Sequence, residues 1–206
     1  MVKGIYTAAR GLGYRGKNID SVANNLANVN STGYKRDGEF QQIMNKLGES
    51  QAVQTRDFSQ GNLVNTALPL DLAIRGDGFF EIKTESGTQL TRDGRFVISD
   101  EGFLVNTSGE KVMGAKGEIS IATYKLNDDQ TIQISRNGEI KVGKEIVDKL
   151  KISNVEDPQK LTKAGGSNFA DKYQEYIPVE DDKFEVMAGY IEESNVNPIF
   201  EMQRMI

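Results

Sequence analysis

The glycine-rich segment near the N-terminus is the best candidate for a site of chemistry. Residues 11–16 read Gly-Leu-Gly-Tyr-Arg-Gly, which matches the G-x-G-x-x-G pattern of dinucleotide-binding loops. Such a loop binds phosphate between a strand and a helix N-terminus, where backbone N–H groups converge on the anion. Here only ten residues precede the motif and a helical pattern runs through it. Glycines that let two helices approach closely are the better interpretation, and a nucleotide-dependent enzyme stays a hypothesis that an ATP-binding measurement would test.

The composition removes most other routes to catalysis. The 206 residues include no histidine and no cysteine, so the chain has no imidazole base, no thiolate nucleophile and no His/Cys zinc site. The acidic pairs at 128–129 and 181–182 are not in apolar surroundings that would raise a carboxyl pKa. We therefore predict a protein that is not an enzyme and that has no cofactor and no metal site.

Charge and hydropathy argue against two classes of partner. The formal net charge is −5, whereas nonspecific binding to nucleic acid or to anionic membranes needs a basic surface. No run of about 18 apolar residues occurs, so we predict no membrane insertion. The first residues lack the apolar core of a cleaved signal peptide.

The first 30 residues carry the clearest periodicity. Apolar residues recur every seven positions at Ile5, Leu12, Ile19 and Leu26, and the positions three residues later hold Ala8, Arg15, Val22 and Val29. This is the a/d spacing of a helix that packs against another helix. Such a helix is marginal alone and needs a partner surface. It should end near Asn30, because Gly33 suits the left-handed residue after a helix C-terminus.

From residue 68 to 155 the pattern changes to short strands. Runs rich in Val, Ile, Thr and Phe are separated by glycine-containing turns, which predicts a meandering antiparallel β body. Asn137-Gly138 is the best candidate for a two-residue hairpin turn, between 131–135 and 139–142. The polar segment 38–61 is predicted to be a short helical or irregular connector. Residues 156–183 are predicted to be a surface loop, and residues 184–191 a last strand.

A second helix begins close to the C-terminus. Asn197-Pro198 suits an N-cap followed by proline at the first helical position. Ile199, Met202, Met205 and Ile206 then begin an apolar stripe. The stripe stops without a C-cap, so we expect this helix to be cut short, with a fraying natural terminus as the alternative.

Four asparagines lie beside the apolar stripe of the first helix, in residues 23–30. Asparagine is a mediocre helix former, but near a helical seam it can fix the register through hydrogen bonds. An ordinary solvated face, the open alternative, would more commonly use Glu and Lys. We predict an assembly interface made of the apolar residues of both helices and these asparagines: Ile5, Leu12, Ile19, Val22, Asn24, Asn25, Leu26, Asn28, Val29, Asn30, Ile199, Met202, Met205 and Ile206.

The predicted fold is mainly β and has three parts. Residues 1–35 form the N-terminal heptad helix. Residues 36–196 form an irregular antiparallel β body, with 36–67 as a connector. Residues 197–206 begin a C-terminal helix that should pair with the first one.

Several segments resemble the bacterial flagellar rod and hook proteins. Residues 23–35, Ala-Asn-Asn-Leu-Ala-Asn-Val-Asn-Ser-Thr-Gly-Tyr-Lys, are similar to the N-terminal signature of that family. Residues 60–63 with 69–74 and 76–80, and residues 90–96, are similar to the family's β domain, and residues 189–197 are similar to the strand before its C-terminal helix. The absence of room for a large inserted domain favours the FlgF/FlgG rod class over the hook protein. The compact length favours the proximal-rod member, while the asparagine segment also suits the distal-rod member.

The resemblance implies a structural subunit of the flagellar basal-body rod. It would polymerise helically, with its terminal helices paired in an inner tube around an export channel and its β body in the outer wall. Its partners would be copies of itself, other rod and hook proteins, and the flagellar type III export apparatus. It would cross the periplasm and be exported without a cleaved signal peptide. An all-β module that binds cell-wall glycan, with a helical tether, is the alternative, although the chain has no Trp and its aromatic residues are scattered.

Overall fold

The computed structural model describes residues 2–44, 50–122 and 132–205. The chain divides into two compact units. The first, here called the terminal unit, comprises Met1–Asn30, Lys35–Ser59 and Ser194–Ile206. The second, here called the β unit, comprises Ser31–Tyr34 and Gln60–Glu193. Residues 36–59, which the sequence analysis places with the β body, thus belong to the same unit as the two chain ends.

The terminal unit contains two helices and one β-hairpin. Helix α1 spans Val2–Ala27, and helix α2 spans Pro198–Arg204 and lies beside it. Strands β1 (Asp37–Met44) and β2 (Ser50–Arg56) pair antiparallel, and β1 packs against α1. Helix α1 ends three residues before the predicted Asn30. Gly33 has the predicted positive φ of 67°, but it lies in the loop beyond the helix instead of capping it.

The hairpin in the terminal unit corrects the predicted connector. A helical or irregular structure for 38–61 is wrong over most of its length, because two long strands occupy it. Glutamines recur on both strands, so the apolar alternation that reveals a half-buried strand is weak. Pairing between the strands and bonds to α1, described below, decide this conformation.

The β unit consists of short antiparallel strands. They are β3 (Leu63–Asn65), β4 (Leu72–Gly76), β5 (Phe79–Thr84), β6 (Gly87–Thr91), β7 (Phe96–Ile98), β8 (Leu104–Asn106), β9 (Lys111–Gly114), β10 (Gly117–Glu118), β11 (Ile132–Ile134), β12 (Glu139–Val142), β13 (Glu145–Lys149), β14 (Ile152–Asn154), β15 (Thr162–Gly165), β16 (Asn168–Ala170), β17 (Ile177–Pro178), β18 (Phe184–Ala188) and β19 (Tyr190–Glu192). A 3₁₀ turn at Pro158–Lys160 precedes β15. The mainly β fold with a helix at each end is confirmed.

The largest sheet orders its strands β15-β16-β6-β5-β9-β8-β7, with β10 paired to β9 and with β14 paired to both β5 and β17. Strands β11, β12 and β13 form a separate three-stranded sheet, and β18 pairs with β4 while β19 pairs with β3. These last two pairs join the end of the β unit to its beginning. The sequence-distant pairing means that the late strands complete sheets begun more than 100 residues earlier.

An apolar core fills the β unit. The aromatic rings of Phe80 and Phe96 meet edge to face, with 5.1 Å between their centroids. Aliphatic side chains from β4, β5, β9 and β12 surround them and are almost completely buried. Half-buried and buried residues alternate along β9 and β12, as expected for strands with one face on the core, whereas Leu72, Ala73 and Ile74 of β4 are all buried.

Two local predictions in the β unit need correction. The 156–183 segment is not only a loop, since β15, β16 and β17 lie within it. The predicted last strand is two strands, β18 and β19, separated at Gly189, where φ is +81°. Both segments are polar or short, so their strand character depends on distant partners and not on their own pattern.

The Asn137-Gly138 hairpin between β11 and β12 is confirmed, but its turn is longer than predicted. Three residues lie between Ser135 and Glu139, and Gly138 has a φ of +82°. The Gly138 N–H donates to the Ser135 carbonyl at 2.9 Å, and the Ser135 N–H donates to the Glu139 carbonyl at 2.9 Å. This is a type I turn followed by a glycine bulge, in which only Gly138 needs a positive φ. The predicted first strand began at Thr131, which lies outside the described residues.

Candidate assembly surface

The apolar stripe of α1 is exposed in its middle and buried towards its end. Leu12 is 71% exposed and Ile19 is 51% exposed. Val22 is buried, and Leu26 and Val29 are half-buried. The side chain of Ile5 lies outside the described residues. The structure therefore separates the predicted stripe into residues that pack within the subunit and residues that are free to meet another molecule.

The asparagines of the predicted interface have different positions. Asn24 and Asn30 are exposed, and Asn28 is half-buried, with its side-chain amide donating to the Asn24 carbonyl one turn earlier at 2.8 Å. Asn25 is fully buried. Asparagine content alone does not distinguish these positions.

Asn25 joins α1 to strand β1. Its Nδ2 donates to the Asp37 carbonyl at 2.8 Å, and its Oδ1 accepts from the Asp37 N–H at 2.8 Å. One turn earlier, the Ser21 hydroxyl donates to the Gly38 carbonyl at 3.1 Å and accepts from the Gln54 side chain at 3.0 Å. Ser21 and Asn25 are four residues apart and so share one helix face. Ser21 was not among the predicted interface residues, although its spacing from Asn25 is visible in the sequence.

Replacing Asn25 with alanine should lower the free energy of unfolding of the terminal unit by about 1–3 kcal/mol, the cost of leaving buried polar groups unsatisfied. The backbone N–H and carbonyl of Asp37 would both lose their hydrogen bonds to the Asn25 side chain. Denaturant unfolding of the chain, monitored through hydrogen exchange of the β1 amides, measures this loss of unfolding free energy. Asn24→Ala is the matched control, because Asn24 is exposed. Equal losses in the two variants would contradict the role of Asn25.

Helix α2 begins at the predicted cap. The Asn197 side chain accepts from the N–H groups of Ile199 and Phe200 at 3.1 and 3.2 Å, and Pro198 occupies the first turn. Ile199, Phe200, Met202 and Met205 are all about half exposed or more. Ile206 lies outside the described residues.

Glu201 is the unexpected residue of α2. Its side chain is fully buried in a helix whose apolar side chains are exposed. The interface predicted for α2 contains only its apolar residues, so neither Glu201 nor its partners were predicted. The i,i+3 spacing of Glu201 and Arg204 was the available signal.

The glycine motif lies inside α1 and not between a strand and a helix N-terminus. Its geometry therefore lacks the converging N–H groups of a phosphate loop. A Cβ added at Gly11, Gly13 or Gly16 would meet nothing within 4 Å. Packing within the described part of the subunit does not require these glycines, and close approach to a second helix remains the prediction.

Among the described residues, no group of three or more acidic, histidine or cysteine side chains is arranged to hold a metal ion. Within the same ranges, no helix combines the length and the apolar character that a membrane crossing requires. A cleft of about 610 Å³ in the β unit has polar walls, among them Lys83, Gln89, Glu110 and Lys111. The described residues that line it include no aromatic side chain, so it lacks the stacking platform that the glycan-binding hypothesis requires.

Models of known protein families match segments of both units. Residues 5–35 match the family model described as "Flagella basal body rod protein", and residues 73–142 match "Flagellar hook protein FlgE/F/G D1 domain". The chain is 32% identical to the flagellar basal-body rod protein FlgG of Borreliella burgdorferi, over 100% of this chain and 89% of that protein. The chain belongs to the flagellar rod and hook protein family. It is also 30% identical to the rod protein FlgF of Rhizobium meliloti, over 100% of this chain and 87% of that protein.

Family membership agrees with the resemblance carried by the asparagine segment and the β-domain motifs. A third relative is the flagellar hook protein FlgE of Helicobacter pylori, 30% identical over 68% of this chain and 23% of that protein. Rod proteins named FlgF and rod proteins named FlgG are both similar to this chain over most of its length. The family-model match at residues 5–35 covers most of α1, including its exposed apolar residues Leu12 and Ile19.

Proposed function

We propose that this chain is a structural subunit of the bacterial flagellar basal-body rod that polymerises through its terminal helices. The observation that carries the proposal is the exposure of large apolar side chains on α1 and α2 in the terminal unit. Burial of one such side chain against a second molecule would contribute roughly 1.5–3 kcal/mol to the free energy of association. We propose that helices of other rod and hook subunits cover these side chains.

Helical growth follows from the kind of contact proposed. The exposed residues Leu12 and Ile19 are on α1, and Ile199 and Met202 are on α2, so a contact between the two sets on successive copies would be heterologous and need not close into a ring. Copies of this chain and other flagellar axial proteins are the proposed partners, and the polymer would form part of the drive shaft and of the export channel. A role as a shaft needs no catalytic group, and we propose no enzymatic activity and no cofactor.

Family membership supports a proposal for the location and the route of the subunit. We propose that it lies in the basal body, crosses the periplasm within the rod and reaches that position through the flagellar type III export apparatus. The net charge of −5 is consistent with the absence of nucleic acid and membrane lipid among its partners.

Replacing Ile19 with aspartate should prevent polymerisation and leave the isolated subunit folded. Ile19 is 51% exposed on α1, so the subunit loses little packing, and surface changes of this kind usually alter stability by less than about 0.5 kcal/mol. In the polymer the carboxylate would instead be buried without a partner. Sedimentation and negative-stain electron microscopy of the purified chain at rising concentration measure assembly, and circular dichroism measures folding.

Ile146→Asp is the matched control for this test. Ile146 is 54% exposed and belongs to β13 of the β unit, so the same substitution is made at nearly the same exposure but not on a terminal helix. The proposal expects this variant to polymerise like the unmodified chain. Polymers of Ile19→Asp that form at unmodified concentrations would show that α1 is not the assembly element.

A further inference from the structure

Helix α2 has its polar and apolar sides reversed relative to an ordinary surface helix. A surface helix normally buries its apolar stripe and exposes its charges. In α2 the carboxylate of Glu201 is fully buried, whereas Ile199 and Met202 are exposed. Charged carboxylates are rarely buried unless they are paired. The buried charge of Glu201 therefore requires partners of opposite charge.

Two arginines hold Glu201. The Arg36 Nε donates to Glu201 Oε1 at 2.5 Å, and the Arg204 guanidinium lies 3.3 Å from Oε2. The side chains of both arginines are less than one-fifth exposed. Arg204 is on the same helix, but Arg36 is 165 residues away, immediately before β1. The contact thus joins α2 to the hairpin and is more than a helix-stabilising i,i+3 pair.

The same arginines also fix Phe200. The Arg36 guanidinium carbon lies 5.3 Å from the centroid of the Phe200 ring, and that of Arg204 lies 5.8 Å from it. Cations at this distance are attracted by the face of an aromatic ring. Glu201 and Phe200 are adjacent on α2, so contacts to both residues set the rotation of the helix about its axis.

The backbone around Arg36 is itself held in place. The Arg36 N–H donates to the Asn195 side-chain carbonyl at 2.7 Å. The Asn195 amide in turn donates to the carbonyls of Asp57 and Ser59 at 2.9 and 3.1 Å. Asn195 also lies three residues before the α2 proline, Pro198. The entry to α2, the exit from β2 and the start of β1 therefore form one connected arrangement within the terminal unit.

We propose that Arg36, Glu201 and Arg204 form a positioning cluster that keeps the apolar side of α2 turned outward for a second copy of this chain. The proposal rests on the proposed function and adds the residues that orient the assembling helix. A buried ion pair contributes little to stability compared with apolar residues of the same volume, but it can impose one arrangement among several. Without the cluster, the hydrophobic effect would turn Ile199 and Met202 towards the subunit.

Glu201→Gln tests the cluster with little change of shape. It leaves two arginines facing a neutral amide and removes the attraction that holds the helix. We expect the critical concentration for polymerisation to rise at least about tenfold, which corresponds to roughly 1.4 kcal/mol per contact. Arg36→Gln removes the same contact from the hairpin side and should have the same effect. Glu180→Gln, which makes the same change of charge at an exposed side chain, is the control.

A second measurement separates orientation from simple loss of structure. The chain has no cysteine, so Met202→Cys gives a single thiol on the exposed side of α2. The rate of maleimide labelling is measured on dilute monomer, with and without Glu201→Gln. We expect labelling to slow severalfold in the Glu201→Gln background, because the helix turns this side inward. Unfolding of α2 would leave the thiol exposed and would not slow it.

The polymerisation and labelling results together decide whether the cluster orients α2. Slower labelling together with weaker polymerisation supports the positioning role. Polymerisation of Glu201→Gln at the unmodified concentration, or labelling that stays equal or becomes faster, overturns it while leaving the proposed function intact. An unmodified chain that stays monomeric at every concentration would overturn the proposed function and this inference with it.

Discussion

Replacing Glu192 with alanine should lower the free energy of unfolding of the β unit by about 3–5 kcal/mol, the cost of breaking a buried ion pair on one side. The Glu192 side chain is fully buried, and its Oε2 accepts from the Arg92 guanidinium at 3.1 Å. Its Oε1 accepts from the Gly61 N–H at 2.9 Å. Removal of the carboxylate would leave a buried guanidinium without its counter-charge and a backbone N–H without this acceptor.

The Arg92 guanidinium connects strands that are distant in sequence. It donates to the carbonyls of Ile74 and Gly76 at 3.2 and 2.7 Å, at the end of β4, and lies over the ring of Phe79. Burial lowers the pKa of Arg92, and the charge of Glu192 opposes that shift. The charge of Glu192 therefore offsets part of the cost of burying the Arg92 guanidinium between β4 and β19.

Denaturant unfolding of the chain, monitored with a probe in the β unit, measures this loss of unfolding free energy. Glu193→Ala is the matched control, because Glu193 is the next residue and is exposed. The control should change the free energy of unfolding by less than about 0.5 kcal/mol. If Glu192→Ala cost no more than this control, Arg92 would have found another partner and the ion pair would not hold β19.

The sequence predicted the features that local chemistry determines. The strand-and-turn pattern of the β unit, the glycine turn at 137–138 and the Asn197 cap all depend on residues within about ten positions of one another. The apolar periodicity of α1 predicted its helix in the same way. The family signature predicted the class of protein, and the comparisons confirm it.

The features that were missed depend on contacts between distant segments. The hairpin of β1 and β2 has little apolar alternation, and Asn25 and Ser21 of α1 bind its backbone. Glu201 gives no sign of burial in its own helix, since its partner Arg36 is 165 residues away. A single sequence shows that an arginine and a glutamate exist, but not that folding will bring them together. The interface residues of α1 and α2 remain a prediction, since only assembly can test them.

Replacing Gly94 with alanine should destabilise the β unit by more than about 3 kcal/mol, beyond the usual cost of overpacking a core. A Cβ at this position would lie 1.6 Å from the Leu72 carbonyl oxygen and 2.7 Å from its carbon. Leu72 belongs to β4 and is completely buried, and its N–H donates to the Gly94 carbonyl at 2.9 Å. The obstacle is thus backbone that is already hydrogen-bonded, and no side-chain rotation can relieve the overlap.

Gly109→Ala separates this close approach from the general cost of losing a glycine. Gly109 has a φ of +83°, but a Cβ there would meet nothing within 4 Å. The control should therefore cost only the left-handed backbone strain of about 1–2 kcal/mol. Thermal unfolding followed by circular dichroism compares the two variants. Equal losses would mean that β4 moves away from residue 94 at little cost, whereas a much larger loss for Gly94→Ala would locate the tightest backbone contact of the β unit inside the 90–96 segment that carries the family resemblance.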